Sequence, residues 1–187
     1  MVLDIILLVV GAGIIALAAA EGFVRALMLL FGFYLSSIAV GMLILGFDLV
    51  TSLTDIILGS VGGSGVNPVL YQPVIFLGLL IPAFILTYIL SHIAFRDTQL
   101  TRLRWVDNLL GTLVGALLAV LLMAILCNTW GVLVSERWQP AQTWRQMFTH
   151  YHTSALRPWL NRVLVTYRGA VFPFQVRTYP VFFIPQS

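Results

Sequence analysis

The sequence predicts an all-α integral membrane protein, with four transmembrane helices and short interfacial amphipathic helices in a C-terminal tail. Three observations lead there. First, the 187-residue chain is 60% hydrophobic and 9% charged, with a mean hydropathy of +0.99. Soluble domains average about 25% charged residues, and so few charges cannot cover a soluble core of this size. Second, four apolar runs, at about 2–20, 26–47, 73–95 and 109–134, each approach or exceed the ~20 residues that cross a hydrocarbon core. Third, the composition after residue 135 turns to arginine and aromatics. The expected division is therefore a transmembrane domain over 1–135 and an interfacial tail over 136–187.

Val2 to Ala20 is apolar except for Asp4, and Gly11, Gly13, Ala16 and Ala20 give it a small-residue side suited to close packing. No basic region precedes it, so it reads as a retained helix and not a cleaved signal. In the short connection that follows, Glu21 precedes Arg25 by four residues, the favourable order for a helical ion pair. Gly22 between them predicts a tight turn or a kink. The second run, Ala26 to Phe47, carries no charge, and its Ser36 and Ser37 are expected to bond back to their own backbone.

The longest break follows. Leu49 to Leu58 reads as a short interfacial helix, and Gly59 to Pro68 as a flexible loop. No Lys-Ser/Thr follows these glycines, which excludes a phosphate-cradling loop. Pro73 suits the first turn of the third run, and Pro82 predicts a kink inside it. Thr87 and Ser91 share a face there, with His92 beside them.

A basic loop with Arg96, Arg102 and Arg104 leads to Asp107 and Asn108, and then to the fourth run. Gly111, Gly115 and Ala119 fall on one face of that helix, a pattern for close helix–helix packing. Asp107 has two readings. It is an N-cap that accepts from an orphan backbone N–H of the fourth helix, or, with Asn108, an ionisable group at the mouth of a pore or partner site. Asp4 and Glu21 have two readings as well: charges that sit in the headgroups at opposite ends of the first span, or pairing partners, Glu21 of Arg25 and Asp4 of a tail arginine. In the tail, Trp144, Phe148 and Tyr151 repeat at helical spacing. So do Trp159, Val163, Leu164 and Tyr167, after Pro158 at a helix start. Two amphipathic helices lying at the membrane surface are expected, then an extended end over Phe172 to Pro185.

The net charge is +3, and all ten basic residues are arginine. Charges spread this thinly exclude a nucleic-acid partner. The single cysteine, Cys127, excludes an intramolecular disulfide and a thiolate metal site. His150 and His152, two apart with no carboxylate nearby, read as interfacial histidines. No metal or cofactor is expected. The first and third connections carry arginine and the second carries none, so the positive-inside rule puts both termini outside the cytoplasm.

Asp4, the Gly-Phe-Val-Arg turn at Gly22 to Arg25, and Asp107 followed by Leu-Leu-Gly-x-x-x-Gly up to Gly115 resemble the CvpA family. These are bacterial inner-membrane proteins named for colicin V production. The resemblance covers roughly the first 135 residues, and Ser154 to Leu160 is similar to the family's usual post-membrane segment. Family members often have arginine where this chain has Glu21 and Asn108. The resemblance implies four membrane helices and a non-enzymatic role in toxin production or export, or in cell-envelope integrity. The lipid bilayer, further copies, or other envelope or export membrane proteins would be the partners. A small channel or transporter is the first alternative, and predicts that Asp4, Asp107, Thr87 and His92 converge on one cavity. An accessory subunit of a larger membrane complex is another. A membrane enzyme would need convergent catalytic groups that the chain hardly offers.

Overall fold

The computed structural model describes residues 2–46, 72–94, 104–135 and 141–171. Six α-helices make up nearly all of them: α1 (Val2–Glu21), α2 (Phe23–Gly46), α3 (Gln72–Ala94), α4 (Arg104–Ser135), α5 (Ala141–His152) and α6 (Arg157–Val171). The expected helix at Leu49 to Leu58, the glycine-rich loop, the loop holding Arg96 and Arg102, and Phe172 to Pro185 lie outside the described residues. Helices α1 to α4 each contain a segment long and apolar enough to cross a membrane.

Two boundaries differ from the sequence expectation. Helix α2 begins at Phe23, three residues before its apolar run, and α4 begins at Arg104, five residues before its own. Both extensions are polar or mixed turns. With 32 residues α4 is about 48 Å long, well beyond the ~30 Å of a hydrocarbon core. Pro82 is exposed inside α3, which continues through it.

Helix α4 is central. It makes its most extensive contact with α1, and packs also against α2, α6 and α5; α3 packs mainly on α2. Lipid tails are as apolar as leucine, so helices in a membrane gain little from hydrophobic burial and must rely on close fit. The fit is closest along the glycines. A Cβ at Gly111 would stand 2.7 Å from the Ala18 carbonyl oxygen. One at Gly115 would run into the Ala18 side chain, and Ala119 is fully buried. This glycine face therefore packs inside the bundle, against α1. At the middle of α1, a Cβ at Gly11 would stand 2.9 Å from the Met123 sulfur. Between α2 and α3, Gly32 gives way to the Thr87 methyl.

The tail does not stand apart from the bundle. Trp144 Nε1 donates to the Val134 carbonyl at 3.2 Å, and Trp130 Nε1 to the Met147 carbonyl at 3.1 Å, so α5 closes over the last turns of α4. Helix α6 buries Leu160, Leu164, Tyr167 and Val171 in the same apolar core as Phe33, Leu118 and Ile125. The two amphipathic helices expected in the tail form as α5 and α6, and α6 seats its inner stripe against α2 and α4. Trp159, expected on that stripe, is instead exposed.

Substitutions at the glycine face test this packing. Gly111→Val forces backbone apart and should lower stability by about 1–3 kcal/mol. Gly78→Ala, with no atom within 4 Å of the new Cβ, should raise it by up to about 1 kcal/mol. Thermal unfolding midpoints in detergent micelles would show the opposite signs.

Candidate functional site

The polar groups of the described spans gather at the two ends of the bundle. The first gathering is the corner between α1 and α2. Gly22 adopts φ +84°, a left-handed conformation that favours glycine. Its N–H donates to the Ala18 carbonyl at 3.2 Å, closing α1 with an αL cap. Its own carbonyl accepts from Ala26 N–H at 3.0 Å, so the same residue opens α2. Glycine has no side chain to cap the new helix. Asp107 of α4 does it instead: its Oδ1 accepts from Phe23 N–H at 3.0 Å. The expectation that Asp107 caps its own helix is thereby corrected. Helix α4 starts at Arg104, Asp107 lies within its first turn, and the carboxylate is buried against the start of α2. The carbonyl of Asn108, next in the chain, accepts from the Thr112 hydroxyl at 2.7 Å.

Beside this corner stand Glu21, Arg25, Tyr88 and His92. Arg25 donates to Glu21 Oε2 at 2.8 Å across the glycine break. Tyr88 of α3 donates to Glu21 Oε1 at 2.9 Å, and His92 Nδ1 lies 3.7 Å from Oε2. The His92 and Tyr88 rings lie against each other, centroids 5.5 Å apart. A cavity of about 590 Å³ opens here, lined by Arg25, Tyr88, Ile89, His92 and Ile93. The sequence pattern pointed to Glu21 and Arg25 through their spacing. Tyr88 carries no such signal, because its partner is 67 residues away.

The second gathering is at the opposite end. Asp4 Oδ1 accepts from the Ser154 hydroxyl at 2.6 Å and from Leu156 N–H at 3.4 Å. The Leu156 carbonyl begins the hydrogen bonds of α6, accepting from Trp159 and Leu160. Asp4 thus does for α6 what Asp107 does for α2. Arg157, next to this turn, lies over the Tyr151 ring at 4.4 Å, and burial pushes the Tyr151 hydroxyl above the usual tyrosine range. These contacts bring the start of α1 and the tail helices to one end of the bundle.

Deeper down, Tyr34 of α2 donates to the Ala170 carbonyl at 2.8 Å, and Ser37 and Tyr167 share a hydrogen bond between their hydroxyls. Ser37 also bonds back to the Tyr34 carbonyl at 2.8 Å. Thr87 bonds back to Ala83 at 2.9 Å. Asp4, Asp107, Thr87 and His92 therefore do not share a cavity. His152 Nδ1 lies 3.2 Å from an Arg157 nitrogen. Among the described residues no three His, Cys, Asp or Glu side chains group to hold a metal ion.

Four apolar membrane-length helices, clasped at both ends by carboxylates that cap other helices, define a multi-pass α-helical membrane protein. The model of the colicin V production protein family matches residues 3–164. With most of its length matched, the chain belongs to that family. No curated protein and no solved structure matches it.

Removing the Asp107 carboxylate tests the clasp. Asp107→Ala should cost about 0.5–2 kcal/mol and Asp107→Asn much less, read from denaturation in detergent. A double-mutant cycle over Glu21→Gln and Tyr88→Phe should return a coupling of roughly 0.5–3 kcal/mol.

Proposed function

We propose that this protein is a non-enzymatic component of the bacterial inner membrane that supports production or export of colicin V-type toxins, or more broadly cell-envelope integrity. The family match over residues 3–164 carries the reading, since it takes in all four spans, α5 and half of α6. The side-chain geometry favours a structural or docking role over catalysis. Asp4, Glu21 and Asp107 each hold a helix start or an ion pair. The partners in this reading are the lipid bilayer, further copies, or other envelope and export proteins, with no nucleic acid.

The arginine distribution supports an orientation. Arg25 marks the end with the α1–α2 corner, and the positive-inside rule favours the cytoplasm for it. The end with Asp4 and the tail helices then faces outward, with both termini.

A strain lacking the protein should secrete less toxin or lose resistance to envelope stress, and the wild-type chain should restore it. Unchanged secretion together with an intact permeability barrier in the deletion strain would refute the role. For orientation, single cysteines at Ser64, Ser135 and Gln186 in a Cys127→Ala background should all react with a membrane-impermeant thiol reagent on whole cells. Protection at Gln186 with labelling at Ser64 would instead place the tail inside.

A further inference from the structure

Between α1 and α3 runs an apolar trough. Its floor includes Phe33 of α2 and Leu118 of α4, and its walls include Ile14 of α1 and Phe84 of α3. Two hollows, of about 260 and 240 Å³, share Val10, Ile14, Phe84 and Leu118. One extends to Leu126, toward the tail, and the other to Leu17, toward the α1–α2 corner, so the trough runs lengthwise along the spans. A Cβ at Gly13 would meet nothing within 4 Å, which leaves the trough open beside α1.

An apolar cavity of about 150 Å³ stays dry and takes a benzene-sized ligand. Each hollow is larger than that. A transmembrane helix, about 10 Å across, could not lie here without parting Tyr88 of α3 from Glu21 of α1. An alkyl chain fits the trough without disturbing that bond.

The trough leads to polar groups. Ile81, Ile85, Tyr88 and His92 succeed one another along α3 at intervals of four and three, and so share a face. The first two line a hollow, and the last two line the cavity of about 590 Å³ beside the corner. The apolar spans end at Glu21 and Ile93, which sets this cavity at headgroup level. Ile89 and Ile93, 48% and 71% exposed, form its lipid side. Arg25 and His92 form its polar side. Both carry N–H donors, and no described lining residue is a carboxylate. Glu21 orients Arg25 through its 2.8 Å ion pair. Basic pockets between spans at this level suit the phosphate of a lipid headgroup. Mostly apolar walls with a few convergent polar groups are also the usual form of a small-ligand site.

We propose that trough and cavity form one binding site for a bilayer phospholipid, with an acyl chain between α1 and α3 and the phosphodiester at Arg25 and His92. This assignment rests neither on the role in toxin export nor on the orientation.

A photoreactive lipid tests it. Full-length protein in micelles of an uncharged detergent receives a trace of phosphatidylglycerol with a diazirine midway along one acyl chain. After irradiation, adducts are mapped by mass spectrometry. They should concentrate on Val10, Ile14 and Phe84 and spare the exposed Ile5, Leu35 and Leu109. Unlabelled phosphatidylglycerol should displace the probe about tenfold better than diacylglycerol with the same chains, and inorganic phosphate should not displace it. Gly13→Leu, which fills the trough, should abolish the adducts without lowering the unfolding midpoint. Arg25→Gln should erase the preference over diacylglycerol and leave the adducts in place. His92→Ala, at an exposed position, should weaken that preference, and it carries the test if Arg25→Gln fails to fold.

Adducts spread evenly over Ile5, Leu35 and Leu109 would mean ordinary boundary lipid. Diacylglycerol competing as well as phosphatidylglycerol would remove the phosphate recognition, and displacement by inorganic phosphate would make the ligand a free anion. Unchanged adducts in folded Gly13→Leu would put the chain elsewhere. A preference untouched in the folded variants of Arg25 and His92 would put the headgroup elsewhere. Each of these results overturns the proposal.

Discussion

A chain that turns sharply between two packed helices must satisfy the backbone groups that the turn buries, and the rest of this bundle follows from how it does so at Gly22. One residue ends α1 and begins α2, and leaves Phe23 N–H without a helical partner. A buried amide left unsatisfied costs about 1–3 kcal/mol. Asp107 supplies the acceptor. To reach it, the start of α4 must lie against the corner, close enough that only glycine fits at 111. The cap and the glycine face are one device: the cap fixes the register of α4 on α1, and the absent side chains let the backbones approach.

The far end repeats the solution with different parts. Asp4 accepts from the turn that starts α6, so the tail is anchored by the first span and not by its own loop. Helix α4, longer than a hydrocarbon core, runs between the two anchors, offers its Val134 carbonyl to the Trp144 side chain and donates from its own Trp130 to the Met147 carbonyl of α5. Helix α4 thus carries the cap of α2 at one end and the tail contacts at the other.

Local features were legible in the sequence and distant pairings were not. The four spans follow from runs of apolar residues, the Glu21–Arg25 pair from a spacing of four, and the small face of α4 from glycines four apart. Each of these is written within a few neighbouring residues. The partner of Asp107 is 84 positions away and that of Asp4 is 150, distances at which spacing says nothing. Both carboxylates were visible as unusual groups near spans, and only their partners were hidden. The depth of α6 was hidden for a related reason. Its stripe of Leu160, Leu164 and Tyr167 is what a surface helix also shows; what draws it inward is a pair of hydroxyls, on Tyr34 and Ser37, in a helix more than a hundred residues earlier.

The two sides of α2 and α4 are consequently unlike. On the α6 side the groove is filled and hydrogen-bonded down to mid-depth. On the other side α1 and α3 flank the same pair of helices with a hollow of about 260 Å³ between them, walled by Ile14, Phe33, Phe84 and Leu118. Tyr88 with Glu21, and His92 beyond, link the tops of α1 and α3 across it. Apolar walls adapt to lipid or to one another at little cost, whereas a hydrogen bond to a carboxylate is worth more and is directional. Among the described residues, helix α3 is thus held by α2 along its length and by the Glu21 clasp at its end. Glu21 is shared with Arg25, which lies one turn beyond the glycine on which the corner depends.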